Sequence, residues 1–405
     1  MEPQPFRSAL ASGAVSTTAS GSTDVAAAPH EVTDGDFEGA LDGLTHDPEE
    51  EPKDLDIHTP AAHGVKHSWL QRLVPGIEKL AVYENLGTYV AIGRGENPQK
   101  VWESMPIYVR IGMQALYHGR QQARLLGTSR MEAMLKAQSI KQGKAFDSPD
   151  TGFSHILSFI RTYQIDTSEL LKPNIEDWRG STFNDFFSRA LRPGARPIAN
   201  PDDPKTISSA ADCRLTVFPT VDAAKKIWIK GKHFTLANLL QDEEEAKQFE
   251  GGSVAVFRLA PADYHRYHSP NDAVVGETKS IEGTYYTVNP CAVNEQWLDV
   301  FTANRRDVTY LTVPSPSSSS SENSIPVAFV QIGAMLVGSI VRTGAAQTGA
   351  SVKRGDELGY FAYGGSTVIA LYPPGTVEWD QDLRRNSEGR LETAVRVGEQ
   401  IGRFV

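Results

Sequence analysis

The chain has 405 residues, a net charge of −10, and apolar and aromatic shares of 40% and 9%. That length allows two or three domains with at least one well-buried core, and the acidic balance argues against nucleic acid as a partner. Two cysteines, Cys213 and Cys291, exclude a disulfide scaffold and point to a reducing, intracellular compartment.

Residues 1–60 read as a disordered acidic tail. Ala, Ser, Thr and Gly dominate up to Ala28, and "EVTDGDFEGALDGLTHDPEEEPKDLDI" then carries eleven Asp/Glu against one Lys. Such a segment buries too little apolar surface to offset its ordering entropy. The opening "MEPQPFRSALASG" lacks the basic start and apolar stretch of a signal peptide. No run of about 18 apolar residues occurs anywhere, so no transmembrane helix is expected.

Residues 65–175 read as mainly helical. Within them, 105–144 hold seven Lys/Arg against one Glu, and four of the six methionines. A basic helical stretch bearing Met and Leu suits an anionic membrane surface. Packing on the core with a basic solvent face is the plainer reading. "DWRGSTFNDFFSRALRPGARPI" (177–198) reads as a short helix capped by Ser181 or Thr182, then a Pro/Gly turn.

Beyond residue 200 the texture is that of short strands separated by turns. They are "RLTVFP", "KIWIKG", "SVAVFRL", "YYTVN", "VTYLTV", "VAFVQIGAMLVGSIV", "ELGYFAY" and "TVIALY". "PSPSSSSSENS" (314–324) is a low-complexity loop. The fold class is α+β: a helical N-terminal part followed by a compact β-rich domain, 177–405, with barrel-like or sandwich sheets. In "YFAYGGSTVIALY" (360–372) the strand is interrupted by Gly364, Gly365 and Ser366. Glycine there weakens a strand and admits another group close to the backbone.

Three local clusters supply Asp, His and Ser, the parts that activate a hydroxyl. They are Asp212 in "SSAADCRL", His265 and His268 in "FRLAPADYHRYHSPNDAVV", and Ser366. Each alone is weak, because turn aspartates, structural histidines and Gly-Gly-Ser turns are common. A hydrolase elbow G-x-S-x-G fails, since Val368 stands where the last Gly belongs and no helix follows. His265 and His268 lack a nearby third metal ligand, so no metal is expected.

"FRLAPADYHRYHSP" with the later "GGST" resembles the phosphatidylserine decarboxylase family. So do "FNDFFSRALRPGARPI", "SAADCRL", "IKGKHFTLANLL", "GTYYTVNP", "VQIGAMLVGSI" and "GASVKRGDELGYFAYGGSTVIALY". The similarity is dense over 177–405 and loose before it. Ordered motifs of this number are far more specific than any one of them. At one position the chain departs from the pattern: Cys213 stands where the family usually has Gly.

The resemblance implies self-cleavage between Gly365 and Ser366, giving a large chain 1–365 and a small chain 366–405 that stay paired, and a covalent pyruvoyl group at 366. It implies His268 as the base and Asp212 as the residue that orients it, with His265, Tyr264 and Gly364 binding substrate or supporting the site. The pyruvoyl ketone would engage the substrate amine and take the electrons left when carbon dioxide departs. The implied substrate is phosphatidylserine in a membrane, the product phosphatidylethanolamine, and a homodimer is what the family suggests. A soluble relative acting on a free aromatic amino acid such as tryptophan is the alternative. A non-enzymatic membrane scaffold and a serine hydrolase both predict an uncut chain. The Arg-poor N-terminus and the lack of a span favour a peripheral endomembrane or cytosolic location over the mitochondrial inner membrane.

Overall fold

The computed structural model describes residues 87–104 and 143–405, apart from 145, 232–233, 289, 295–298, 317–323, 335–338 and 363–365. The strands in chain order are β1 (Gly87–Ile92), β2 (Gln99–Ser104), β3 (Thr206–Ser208), β4 (Cys213–Phe218), β5 (Ser253–Leu259), β6 (Arg266–His268), β7 (Ala273–Ile281) and β8 (Arg306–Pro314). There follow β9 (Ser324–Gly333), β10 (Ile340–Arg342), β11 (Ser351–Val352), β12 (Glu357–Phe361), β13 (Ser366–Tyr372), β14 (Val377–Trp379), β15 (Glu392–Val395) and β16 (Gln400–Phe404). Ten of them form one sheet in the order β11-β7-β8-β9-β13-β5-β4-β15-β1-β2. Two three-stranded sheets accompany it, β10-β12-β6 and β14-β16-β3.

The large sheet is open, with β11 and β2 at its edges, so the sandwich half of the sequence expectation describes the molecule and the closed barrel does not. Side-chain alternation sends successive residues of a strand to opposite faces. In β13, Ile369 and Leu371 enter one core, together with Val254 and Val256 of β5 and with residues of the helices Val221–Ile227, Leu236–Leu240 and Val300–Ala303. Val368, Ala370 and Tyr372 enter the other, where they meet Tyr267, Leu358 and Phe361 of one small sheet and Ile207, Trp379, Ile401 and Phe404 of the other. Helices therefore cover one face and the small sheets cover the other. With both faces covered, central strands read as continuous apolar runs, which is why β5 and β13 stand out in the sequence.

A third core unites Ile156 and Phe159 of the helix Pro149–Tyr163 with Phe183, Phe186 and Phe187 of the helix Phe183–Phe187. Thr182 caps the latter through a reciprocal capping box with Asp185. The expected helical region 65–175 also contains a hairpin: β1 and β2 pair antiparallel, and β1 runs parallel to β15. Residues 65–86, and all of the basic stretch 105–144 except 143 and 144, lie outside the described residues, as does the acidic tail.

Two strand expectations are corrected. "KIWIKG" is the end of the helix Val221–Ile227 and the turn after it, with Thr220 as N-cap, so capping and helical spacing prevail over β-branched content. "YYTVN" joins no sheet, because the Asn304 side chain bonds both the N–H and the carbonyl of Tyr286 and takes a neighbouring strand's place. Among the described residues no helix is long and apolar enough to cross a membrane.

Candidate active site

Ser366 is the first residue of β13, paired with Leu259, the last of β5, and with Gly333, the last of β9. Leu259 continues the row of Phe257, which faces Leu215 of β4, so Cys213 at the start of β4 lies level with it. Two strand ends and two strand starts thus meet at one end of the sheet, where the segments bearing Asp212, Tyr264, His265 and Ser366 leave or enter it. By alternation the Ser366 side chain shares the face of Val368 and Ala370, the face covered by the small sheet that contains β6 and ends in His268. Its hydroxyl is buried and has no hydrogen-bond partner among the described residues. A buried polar group in that state calls for a physical explanation. Gly364 and Gly365 lie outside the described residues.

His268 is held from three sides. Its N–H bonds the carbonyl of Ala210, two residues ahead of Asp212, at 2.8 Å. Its ring Nδ1 lies 2.9 Å from the Gly355 carbonyl and its Nε2 lies 3.1 Å from the Tyr264 hydroxyl. A carbonyl only accepts, so Nδ1 carries the proton and Nε2 presents a lone pair to the Tyr264 O–H. Burial lowers the His268 pKa, opposed by the Gly355 bond and by the charges of Glu357 and Asp212. The neutral ring is the form that accepts a proton.

Asp212 does not make the imidazole contact expected of it. Its carboxylate takes two nitrogens of Arg196, at 2.6 and 3.0 Å, and the N–H of Val397 at 2.9 Å. Arg196 in turn pairs with Glu169. Asp212 acts on His268 through space, favouring its charged form, and the Gly355 carbonyl fixes the tautomer.

His265 is completely buried and stacks on Phe187 with ring centroids 4.0 Å apart. Its Nδ1 bonds the Asp263 carbonyl at 2.9 Å, and its Nε2 has no partner among the described residues. Burial pushes its pKa down to about 3, so it is neutral and presents an open lone pair. Arg189 donates to the carbonyls of Ala262 and Asp263 beside it, at 3.0 and 3.1 Å. Burial brings that guanidinium down to about 10. Tyr264 is buried as well, and its phenol pKa is raised chiefly by that burial.

Sequence reasoning missed Arg196, Arg189 and Gly355. The two arginines sit in the "SRALRPGAR" turn and carry no local signal of their target. Gly355 is one of several turn glycines, and only its φ of +90° and its place against β6 reveal its part.

The arrangement brings a buried hydroxyl, two neutral imidazoles and a carboxylate–guanidinium pair to one end of a sheet. A family model described as phosphatidylserine decarboxylase matches residues 183–403. The chain is 43% identical over 303 residues to phosphatidylserine decarboxylase proenzyme 3 of Schizosaccharomyces pombe, covering 75% of this chain and 30% of that protein. It is 42% identical over 294 residues to phosphatidylserine decarboxylase proenzyme 2 of Oryza sativa subsp. japonica, covering 72% and 45%. Against the phosphatidylserine decarboxylase proenzyme of Fusobacterium nucleatum it is 36% identical over 278 residues, covering 68% and 87%. The chain thus spans less than half the length of the fungal and plant relatives it matches, and most of the bacterial one.

Proposed function

This chain belongs to the phosphatidylserine decarboxylase family, and from that membership we propose that it cleaves itself ahead of Ser366 and converts phosphatidylserine to phosphatidylethanolamine and carbon dioxide. The observation that carries the reading is the Ser366 hydroxyl, buried and without a partner among the described residues at the start of a central strand. In the processing step Oγ of Ser366 attacks the Gly365 carbonyl carbon and its proton passes to a base, turning the amide into an ester. Elimination across Cα–Cβ of residue 366 then releases the upstream carboxylate. Water adds and ammonia leaves, and residue 366 becomes a pyruvoyl group that blocks the new N-terminus.

His268 is the base. Its neutral Nε2 has the lone pair for the task once the Tyr264 O–H turns aside. Asp212, fixed by Arg196, stabilises the imidazolium that results. The residues fit a pyruvoyl group at 366, because the position is buried and the hydroxyl that is lost breaks no hydrogen bond to the described residues. When present, that group supplies an electron sink for decarboxylation. His265, neutral and with Nε2 unbonded among the described residues, orients the substrate by accepting a hydrogen bond from it. The acyl chains of such a substrate stay in a bilayer, so the enzyme works at a membrane surface. The basic stretch 105–144 supplies charge for an anionic one.

Intact-mass spectrometry of the purified chain tests the reading. The parent should give two polypeptides, 1–365 and a blocked 366–405, and Ser366→Ala one uncut chain. A parent continuous across 365 and 366 that still releases carbon dioxide from phosphatidylserine vesicles refutes it. Release from free tryptophan but not from vesicles would move the chain to the soluble amino-acid reading.

A further inference from the structure

We propose that Glu103, on the β1–β2 hairpin that lies before the matched segment 183–403, is a positioning residue for the loop Ala260–His265. The proposal rests on the reading above only in that this loop carries Tyr264 and His265.

Arg214 of β4 and Arg258 of β5 face each other directly in the sheet. Two like charges so placed repel, and both are largely buried. The Glu103 carboxylate sits between them. Its Oε1 accepts from Nε of Arg214 at 2.6 Å, and its Oε2 from Nη2 of Arg258 at 2.9 Å. Each guanidinium then holds a further acid. Arg258 grips Glu392 of β15 through Nε and Nη2 at 2.8 and 2.5 Å. Arg214 turns Nη1 onto both oxygens of Asp263 at 2.7 and 2.9 Å.

Asp263 shapes the loop. Its Oδ2 accepts the N–H of Ala260 at 2.8 Å, and its own N–H bonds the Ala260 carbonyl at 2.8 Å, closing a tight turn. Its carbonyl receives Nδ1 of His265, which leaves Nε2 of that ring open. The chain of contact from Glu103 through Arg214 and Asp263 to His265 is thus continuous. Charge-assisted bonds of this kind fix direction as well as distance. A carboxylate is the group that can accept from two guanidiniums at once. The amide of a glutamine would set two N–H donors against one of them.

The hairpin has a second anchorage that serves as the control. Arg94 in its turn, at the other end of the hairpin from Glu103, donates to Asp380 and to Asp382 at 2.8 and 2.7 Å. Loosening Arg94 weakens the docking of the hairpin without touching Arg214 or Arg258.

Hydrogen–deuterium exchange on the full chain tests the proposal without requiring activity. In Glu103→Gln, peptides covering 260–268 should exchange about tenfold faster than in the parent, the effect of losing one buried charge-assisted bond. Arg94→Ala should change them less than about twofold while speeding exchange in the hairpin itself. Glu103→Asp, which keeps the charge on a shorter arm, should fall between, and it decides the matter if the glutamine variant does not fold. Unchanged exchange at 260–268 in the Glu103 variants overturns the proposal, as does equal acceleration by Arg94→Ala. A parent chain that proves unbroken would end the self-processing reading and leave this comparison valid.

Discussion

The Tyr264 hydroxyl donates a hydrogen bond to Nε2 of His268 at 3.1 Å, because the other ring nitrogen is committed to the Gly355 carbonyl at 2.9 Å. The lone pair that would receive a proton from Ser366 is therefore shielded by a phenol whose own pKa is raised by burial. The proposed base is held neutral and guarded at once.

Removing that guard has a definite sign. A bond donated to the neutral ring disfavours its protonation, so its loss raises the His268 pKa. In Tyr264→Phe the acid limb of the self-cleavage rate should move to higher pH, as followed by intact mass across buffers. A limb that stays in place or moves lower would show that Tyr264 does not act through His268.

His265 links the site to stability. Its folded pKa is pushed down to about 3 by burial, whereas an unfolded histidine titrates near about 6.5. Between these values the unfolded chain binds one proton more. Stability should rise with pH in that window by up to about 1.4 kcal/mol per unit from this residue. His265→Phe, which preserves an aromatic stack on Phe187, should remove that share of the slope. Urea unfolding of both chains between about pH 4 and 6 measures the difference. Equal slopes would mean that the folded protein protonates His265 without penalty.

Gly355 is placed to control His268 through its backbone. Its φ of +90° disfavours any side chain, and an added Cβ would lie 2.3 Å from Cδ1 of Ile198. Gly355→Ala should cost roughly 2 kcal/mol, the scale of a strained backbone position. It should also slow self-cleavage by tilting the carbonyl that fixes the tautomer. Adding Ile198→Ala should recover part of the stability. A double variant no better than the single one would place the whole cost in the backbone.

Asp212 and Arg196 form a shielded pair, and breaking one partner of such a pair costs on the order of 3 kcal/mol. Asp212→Asn should lose about that much in denaturant unfolding. It should also lower the His268 pKa, since Asp212 is among the charges that raise it. An NMR titration of the His268 ring that matches the parent would remove Asp212 from the electrostatics of the base.

What the sequence displays is local. β4, β5, β8 and β13 are visible as apolar runs because their sheet is covered on both faces. The helix at Phe183 is visible through its cap. The β1–β2 hairpin is not, since its strands border the edge of the sheet and expose Tyr89, Ile92 and Val101, so no clean pattern forms. The candidate site divides the same way. Asp212, His265, His268 and Ser366 announce their chemistry by type and motif. Their bonding partners do not. Arg196 meets Asp212 across a turn, and Gly355 meets His268 from a segment 87 residues away. Register and fold set those pairings, and no short motif encodes them.

In the large sheet β13 lies between β5 and β9, and β15 between β4 and β1, so each has an upstream strand on either flank. Ser366 is the first residue of β13 in either ladder. A nick just before it would therefore sever the covalent thread at the point where the weave begins, and leave the weave whole. The downstream piece supplies two planks, each fitted between two others. To withdraw it, all four seams must be unzipped together, so a cut end shifts while the fabric around it stays shut.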